Sequence, residues 1–251
     1  MSIMTYEIKN RWTQKVQFTA EIECDERADP RIQLGLAVNV ANLRRANLRG
    51  ANLRGANLRG SYLVGACMGG ANLVGAYMGG ACLSRADLRD ACLSGADMSY
   101  ADLSRADLSD ANLRYADLRG ADLSYANLSR ANMSDAYLRG ADLSRADLGY
   151  ACMGGANLRG ANLSGAYLYG AYLGGLILLT RVTRSDGYEY FAWTSALGGL
   201  VITAGCRKWI GEDAIKQARE HCQTTTSERY RSEALRIVDF IEVAATENKR
   251  N

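Results

Sequence analysis

The sequence predicts a mainly β protein whose middle segment is a β-helix, a chain wound into stacked coils of short strands. Three observations support this. Residues 41–175 divide into 27 consecutive five-residue units without an insertion. The first position of each unit is Ala except at Ser61, and the third is Leu in 22 units and Met in five. The segment contains no Pro, which would remove a donor from a strand ladder.

The period of five places two apolar side chains on the inside of each unit. The first and third positions point to the same side of an extended segment, because side chains alternate along a strand. The two remaining residues are enough to turn a corner before the next Ala. A helix would scatter a strict five-residue period around its circumference and leave no apolar stripe. Each unit is therefore predicted to form one short side of a coil, with coils stacked about 4.8 Å apart.

The unit also carries a family resemblance. Ala46-Asn47-Leu48-Arg49-Gly50 and Ala106-Asp107-Leu108-Ser109-Asp110 closely resemble the repeated unit of pentapeptide-repeat proteins, and units of this kind cover 135 of the 251 residues. The resemblance, rather than the spacing, implies a right-handed quadrilateral β-helix with four units per coil. Residues 20 apart would then form columns along the outer wall.

The N-terminal flank is predicted to cap the first coil, because an open coil exposes unpaired strand edges. We expect residues 1–40 to form a short β-rich cap that precedes the repeat at 41–175. It contains a strand at Val16–Ile22, a charged turn at Asp25–Pro30 and a lead into the first coil at Leu34–Val40.

The C-terminal residues 176–251 are predicted to form a small α+β unit. Its apolar runs suggest three strands, and its helical spacings suggest two helices. These elements are Leu176–Arg184, Tyr188–Thr194 and Leu200–Cys206, followed by Glu212–Cys222 and Glu228–Thr246. The apolar face of the last helix is expected to dock on the coil edge or to form a homodimer contact.

Two short segments in the flanks suggest a source and a location. Asn10-Arg11-Trp12-Thr13 and Ile202-Thr203-Ala204-Gly205-Cys206-Arg207 are similar to flanks of pentapeptide-repeat proteins from bacteriophages and prophages. This similarity implies a viral protein that acts in the host cytoplasm. The first residues lack the basic segment and apolar run of a secretory signal, and no apolar run approaches the length of a membrane span. A cytoplasmic protein without a membrane contact is therefore expected.

Catalytic chemistry is not expected. A lumen filled with Ala and Leu leaves no pocket in which acids, bases or nucleophiles converge. We therefore expect no enzyme activity, no cofactor and no metal. Cys206, His221 and Cys222 lack the spacing of a metal site. The repeat cysteines, all at second positions, are interpreted as wall residues; they are Cys67, Cys82, Cys92 and Cys152.

The arginine columns are the candidate partner-binding residues. The fifth-position column contains Arg45, Arg85, Arg105, Tyr125 and Arg145, and a fourth-position column contains Arg59, Arg119, Arg139 and Arg159. Regularly spaced guanidinium groups suit phosphates or an acidic protein surface. In the alternative interpretation, Arg and Asp ladders neutralise each other and only keep the wall soluble.

These features favour a non-enzymatic binding protein that engages and modulates a macromolecular target, such as a phage-encoded inhibitor of a host enzyme or defence system. The resemblance also implies a second function, a DNA mimic of the quinolone-resistance type that acts on DNA gyrase. The charge argues against it, because residues 41–175 hold 14 Arg and 11 Asp and are net +3 (14 − 11). A structural scaffold and a binder of nucleic acid or nucleotides through the arginines fit the same features. A protein target is favoured over nucleic acid.

Overall fold

A computed structural model describes residues 2–158, 161–163, 165–172, 176–183, 189–195, 200–204, 207–210 and 214–225. The chain forms two compact units, Met1–Tyr167 and Leu168–Asn251. The N-terminal segment and most of the repeat lie in the first unit. The boundaries predicted at residues 40 and 175 remain predictions.

The repeat forms coils of 20 residues. The second-position residue of a unit makes a parallel bridge with the residue 20 positions later, from Asn52 with Asn72 through Asp147 with Tyr167. A period of 20 gives four units per coil and hence four faces. The first face includes units 81–85, 101–105, 121–125 and 141–145, and the second includes 86–90, 106–110, 126–130 and 146–150. The third face includes 91–95, 111–115, 131–135 and 151–155, and the fourth includes 96–100, 116–120 and 136–140.

The backbone N–H groups of a regular unit have identifiable acceptors. The first-position N–H donates to the third-position carbonyl of the preceding unit, and the second-position N–H donates to the preceding coil. The third- and fifth-position N–H groups donate to the following coil. The fourth N–H instead donates to the second-position side chain, as Ser104 N does to Asp102 Oδ1 at 2.9 Å. This last bond explains why Asn and Asp are common at the second position.

Replacing Asp122 by Ala is expected to lower the free energy of unfolding by about 1 kcal/mol. The N–H of Ser124 donates to Asp122 Oδ1 at 2.8 Å and would lose this acceptor. Asp122→Asn keeps an acceptor oxygen at the same place, so its loss should be only a few tenths of a kcal/mol. Urea denaturation of both variants measures the difference, and equal losses would contradict this explanation.

Apolar side chains fill the lumen of the coils. From Leu48 to Met153 the first- and third-position side chains are all buried. Ser61 is polar where the other first-position residues are Ala, but its side chain is also buried. Because the lumen is filled, only side chains at the second, fourth and fifth positions are available to a partner.

The N-terminal segment contains two strands and a helix. Strand β1 (Ser2–Lys9) pairs antiparallel with β2 (Val16–Cys24), and helix α1 (Pro30–Leu43) contacts both strands. The predicted strand Val16–Ile22 lies within β2. Helix α1 was not predicted: it covers Leu34–Val40, which was expected only to lead into the first coil, and it continues into the first predicted unit.

Helix α1 has clear local causes. The side chain of Asp29 caps it by accepting a hydrogen bond from Arg31 N at 2.8 Å, and Pro30 occupies the first helical turn, where its missing N–H costs nothing. Its buried apolar side chains recur at helical spacing. They are Leu34, Ala37, Val38 and Ala41.

The N-terminal segment supplies acceptors for the edge of the first coil. Second-position N–H groups usually donate to the preceding coil, which is absent here. Asn52 N donates instead to Lys9 O at 2.7 Å, and Asn57 N donates to Arg31 O at 2.9 Å. Strand β1 and helix α1 thus satisfy donors that an open edge would leave unpaired.

Asp29→Asn is expected to remove an acid-sensitive part of the stability. Hydrogen bonds from the side chain and N–H of Arg31 lower the pKa of Asp29 to about 2. Because this folded-state pKa lies below the unfolded value of about 3.9, the stabilisation is complete above about pH 4 and is lost as the pH falls towards about 2. Asn also caps helices but does not titrate, so the urea midpoints of the two proteins should converge over this range.

Asp25 is an exposed neighbour of Asp29 on the same turn. When both proteins also carry Asp25→Asn, their urea midpoints should still converge over this pH range. A difference between the midpoints that stayed constant from about pH 5 to about pH 2 would contradict the role of Asp29.

The second compact unit contains an antiparallel sheet with the strand order β3-β4-β5-β6. The strands are Leu176–Thr183, Glu189–Ser195, Leu200–Ala204 and Arg207–Ile210, and helix α2 is Ala214–Thr225. Helix α2 contacts β5 and β6. Three strands and this helix overlap the predicted elements, whereas β6 was not predicted because its four residues show no apolar alternation.

The last predicted helix, Glu228–Thr246, and its homodimer contact lie outside the described residues. Within the described part of the chain, no helix is both long enough and apolar enough to cross a membrane.

Candidate functional site

The corners of the coils have an unusual backbone conformation. The fifth position has a left-handed φ, as in Arg85 (59°), Tyr125 (58°) and Gly65 (65°). Only Gly adopts this conformation without a steric cost. Gly fills 15 of the 27 corners, but only three of the 14 between residues 85 and 150. In these middle coils the chain therefore holds long charged and aromatic side chains in a conformation that favours Gly, a feature often found at functional sites.

One corner of the first face carries Arg85, Arg105, Tyr125 and Arg145, here called the arginine corner. Arg145 Nη1 donates a hydrogen bond to the Tyr125 hydroxyl at 2.8 Å. The guanidinium carbons of Arg105 and Arg145 each lie 5.4 Å from the centre of the Tyr125 ring. Tyr125 therefore orders the two arginines beside it.

The arginine corner is not neutralised by ion pairs. Among the described residues, no carboxylate lies within 4.0 Å of the guanidinium groups of Arg85, Arg105 or Arg145. All three side chains are exposed. Arg45 belongs to the same column but follows helix α1, and Gly65 separates it from Arg85, so the structure does not bring it together with the others.

The fourth-position arginines behave differently. Arg119 Nε donates to Asp117 Oδ1 at 2.8 Å. Arg59 pairs with Asp97 at 3.2 Å, and its guanidinium lies 4.6 Å from the centre of the Tyr77 ring. These contacts match the alternative interpretation, in which wall charges neutralise each other. Arg139 has no ion pair within the described part of the chain, and Arg159 lies outside it.

The ion pairs shift the acidities of the carboxyl groups. The hydrogen bond from Arg119 holds the pKa of Asp117 below its usual value, and Arg89 has the same effect on Asp87. Partial burial alone would raise the pKa of Asp97, but hydrogen bonds from Ser99 and the nearby Arg59 leave it lowered. These carboxylates are therefore charged at neutral pH.

The difference between the two kinds of arginine follows from the unit. Arg89 and Arg119 each lie two residues after a second-position Asp, and the turn between them lets the Arg fold back, as Arg89 does to Asp87 at 2.8 Å. A fifth-position Arg lies at the corner in the left-handed conformation and makes no such pair in the described coils. A fourth-position Arg with an Asp in its own unit is thus paired, whereas the corner arginines of the described coils are not.

A stripe of carboxylates runs beside the arginine corner on the first face. Asp102, Asp122 and Asp142 each accept the fourth-position N–H of their own unit on Oδ1. None has an ion pair among the described residues. The first face therefore presents parallel stripes of negative and positive charge.

The described part of the repeat contains free cysteines but no metal cluster. The described residues contain no group of three His, Cys, Asp or Glu side chains placed to hold a metal ion. The four repeat cysteines are free thiols at second positions, and Cys92 Sγ accepts a hydrogen bond from Arg11 Nη1 at 3.0 Å. Cys206 and the side chains of His221 and Cys222 lie outside the described part.

A family model described as pentapeptide repeats matches residues 41–80, 81–120, 101–140 and 141–175, which together span the whole repeat. Among solved structures, Rfr23 from the cyanobacterium Cyanothece 51142 is 38% identical over 37% of this chain, with a TM-score of 0.36. HetL, involved in heterocyst differentiation regulation in Nostoc sp. strain PCC 7120, is 39% identical over 52% of this chain, with a TM-score of 0.31.

The matched regions cover less than two thirds of these two proteins, 63% of Rfr23 and 65% of HetL. QnrB1, a plasmid-mediated fluoroquinolone resistance protein, is 22% identical over 45% of this chain and 67% of its own, with a TM-score of 0.30. A search of curated proteins found no match.

Proposed function

Because the chain belongs to the pentapeptide repeat family, we propose that it is a non-enzymatic binding protein that engages a protein target through the outer wall of its coils. Family membership indicates a β-helix of the right-handed type. Its apolar lumen leaves the wall as the surface for recognition. The single observation that supports this function most directly is the set of unpaired, exposed arginines at the arginine corner.

The arginine corner has the chemistry of a protein interface. Arg and Tyr are enriched among the residues that contribute most to binding. Tyr125 already orders Arg105 and Arg145, so less side-chain entropy is lost when a partner binds. Acidic groups on the partner would replace the water around these guanidinium groups with charge-assisted hydrogen bonds.

The neighbouring carboxylates favour a protein over nucleic acid. Asp102, Asp122 and Asp142 lie on one side of the arginine corner, and Asp107 and Asp147 lie at second positions on the adjoining second face. A continuous phosphate backbone would be repelled by these stripes. A protein surface can present acidic groups to the arginines and basic groups to the carboxylates.

Glycine substitutions test the arginine corner without disturbing the fold. Arg85→Gly, Arg105→Gly and Arg145→Gly remove the side chains and suit the left-handed backbone at all three positions. We expect the wild type, immobilised as bait in a bacterial lysate, to retain at least one protein about tenfold more than the triple variant does, the loss of roughly one charge-assisted contact. Quantitative mass spectrometry of the retained proteins measures this ratio.

The matched control is Arg114→Gln on the third face, which should retain the same proteins as the wild type. Nuclease treatment of the lysate should leave retention unchanged. Equal retention by the triple variant, or loss of retention after nuclease treatment, would argue against the proposal. The identity of the retained protein also tests the narrower roles, inhibition of a host enzyme or defence system by a phage protein and action on DNA gyrase.

A further inference from the structure

A trough of about 370 Å³ runs along the second face and crosses three coils. Its floor consists of the small fourth-position residues Ser109, Ser129 and Gly149. In the preceding coil the fourth position is Arg89. The small floor therefore ends at a large side chain on this side.

One wall of the trough is built from corner residues. Asp110, Arg130 and Tyr150 line it, and all three have left-handed φ values of 58°, 59° and 57°. Gly would adopt this backbone without strain, as it does at Gly70 in the same column. Large side chains therefore stand along the trough at a local steric cost.

The opposite wall brings a carboxylate and an aromatic ring together. Asp147 is exposed, and its Oδ1 accepts the N–H of Gly149 at 2.9 Å. The ring of Tyr167 lies so close to Gly149 that an added Cβ would stand 3.2 Å from its Cε1 atom. The absence of a side chain at residue 149 therefore makes room for Tyr167 beside Asp147 and Tyr150.

The trough is net negative. It contains the charged side chains Asp110, Arg130 and Asp147, and in the described coils none of them has an ion-pair partner within 4.0 Å. Arg89, at the end of the floor, is already paired with Asp87 at 2.8 Å. Two carboxylates against one guanidinium favour a cation in this trough.

We propose that the trough binds a basic side chain, arginine or lysine, presented by a protein partner. The cation lies against the Asp147 carboxylate and the rings of Tyr150 and Tyr167. Carboxylates and tyrosine faces both attract guanidinium and ammonium groups. This site is separate from the arginine corner, which requires acidic groups on its partner.

The test uses the full chain with labelled tyrosine rings and small probes of known charge. Acetyl-arginine amide should shift the NMR signals of Tyr150 and Tyr167 in a saturable manner. Acetyl-citrulline amide has nearly the same shape without the charge, and it should bind at least about fivefold more weakly.

Two variants locate the site. Asp147→Asn keeps the shape of the side chain and should weaken binding of acetyl-arginine amide at least about fivefold. Tyr150→Gly suits the left-handed backbone, so the fold persists while binding weakens. Asp135→Asn, at a corner of the third face, is the matched control and should leave the affinity unchanged.

Equal affinity for the two amides, unchanged affinity in Asp147→Asn, or tighter binding of acetyl-glutamate amide would each overturn the proposal. The variant with Arg85, Arg105 and Arg145 replaced by Gly should still bind acetyl-arginine amide. The proposal for the trough and the proposal for the arginine corner are therefore contradicted by different experiments.

Discussion

Replacing Leu113 by Ala is expected to lower the free energy of unfolding by about 3–5 kcal/mol. Leu113 is a third-position residue with 0% exposure, in a middle coil. Its column neighbours are Leu93 and Met133, so a cavity at residue 113 weakens the interfaces with two coils. Unfolding in urea, followed by circular dichroism, measures the loss.

Leu113→Met is the matched control, because Met already occupies the third position of five units. Met has nearly the volume of Leu, so this change should cost less than about 1.5 kcal/mol. A loss in Leu113→Ala as small as that of the Met variant would mean that the coils collapse around the cavity, and it would contradict a rigid, closely packed lumen.

The coil could be predicted from the sequence because its cause repeats in every unit. Small and large apolar residues two positions apart define an inner side, and the two residues that follow allow the corner. The parallel bridges between residues 20 apart confirm the four units per coil that the family resemblance implied. Each of the 27 units contributes to the same signal, so single exceptions such as Ser61 do not obscure it.

The division of the arginines could not be predicted from the columns alone. Arg119 and Arg105 have similar chemistry, and both columns contain Asp residues nearby. The outcome depends on the neighbours within the unit: Arg119 reaches back to Asp117 two residues before it, whereas the corner residue Arg105 makes no ion pair with Asp102 of its own unit. The trough was also missed, because the sequence does not show that the ring of Tyr167 lies against Gly149 beside Asp147.

Helix α1 was missed although it has a sequence signal. Asp29 followed by Pro30 is a typical helix start, and apolar residues recur at helical spacing from Leu34 to Ala41. The prediction failed because Ala41-Asn42-Leu43 fits the repeated unit as well as it fits the end of a helix. Packing against β1 and β2, which the local sequence does not encode, favours the helix.

The Gly35→Ala variant should be less stable than the wild type by about 2–3 kcal/mol, although Ala is the better helix former. An added Cβ at residue 35 would stand 1.9 Å from the carbonyl oxygen of Asn57 in the first coil. Backbone atoms cannot move aside as a flexible side chain does, so helix α1 must shift away from the coil. That shift lengthens the hydrogen bond from Asn57 N to Arg31 O, now 2.9 Å.

Amide hydrogen exchange distinguishes this mechanism from a general loss of stability. In Gly35→Ala the Asn57 amide should exchange faster, while the Leu103 amide, in a distant coil and bonded to Asp122 O, should keep its protection. Asn39→Ala is the control within α1, because it raises helix propensity at a position that is not fully buried and should keep or increase the stability. If Gly35→Ala were instead more stable than the wild type, helix propensity would outweigh the close approach, and the first coil could not depend on a tightly docked α1 for its edge acceptors.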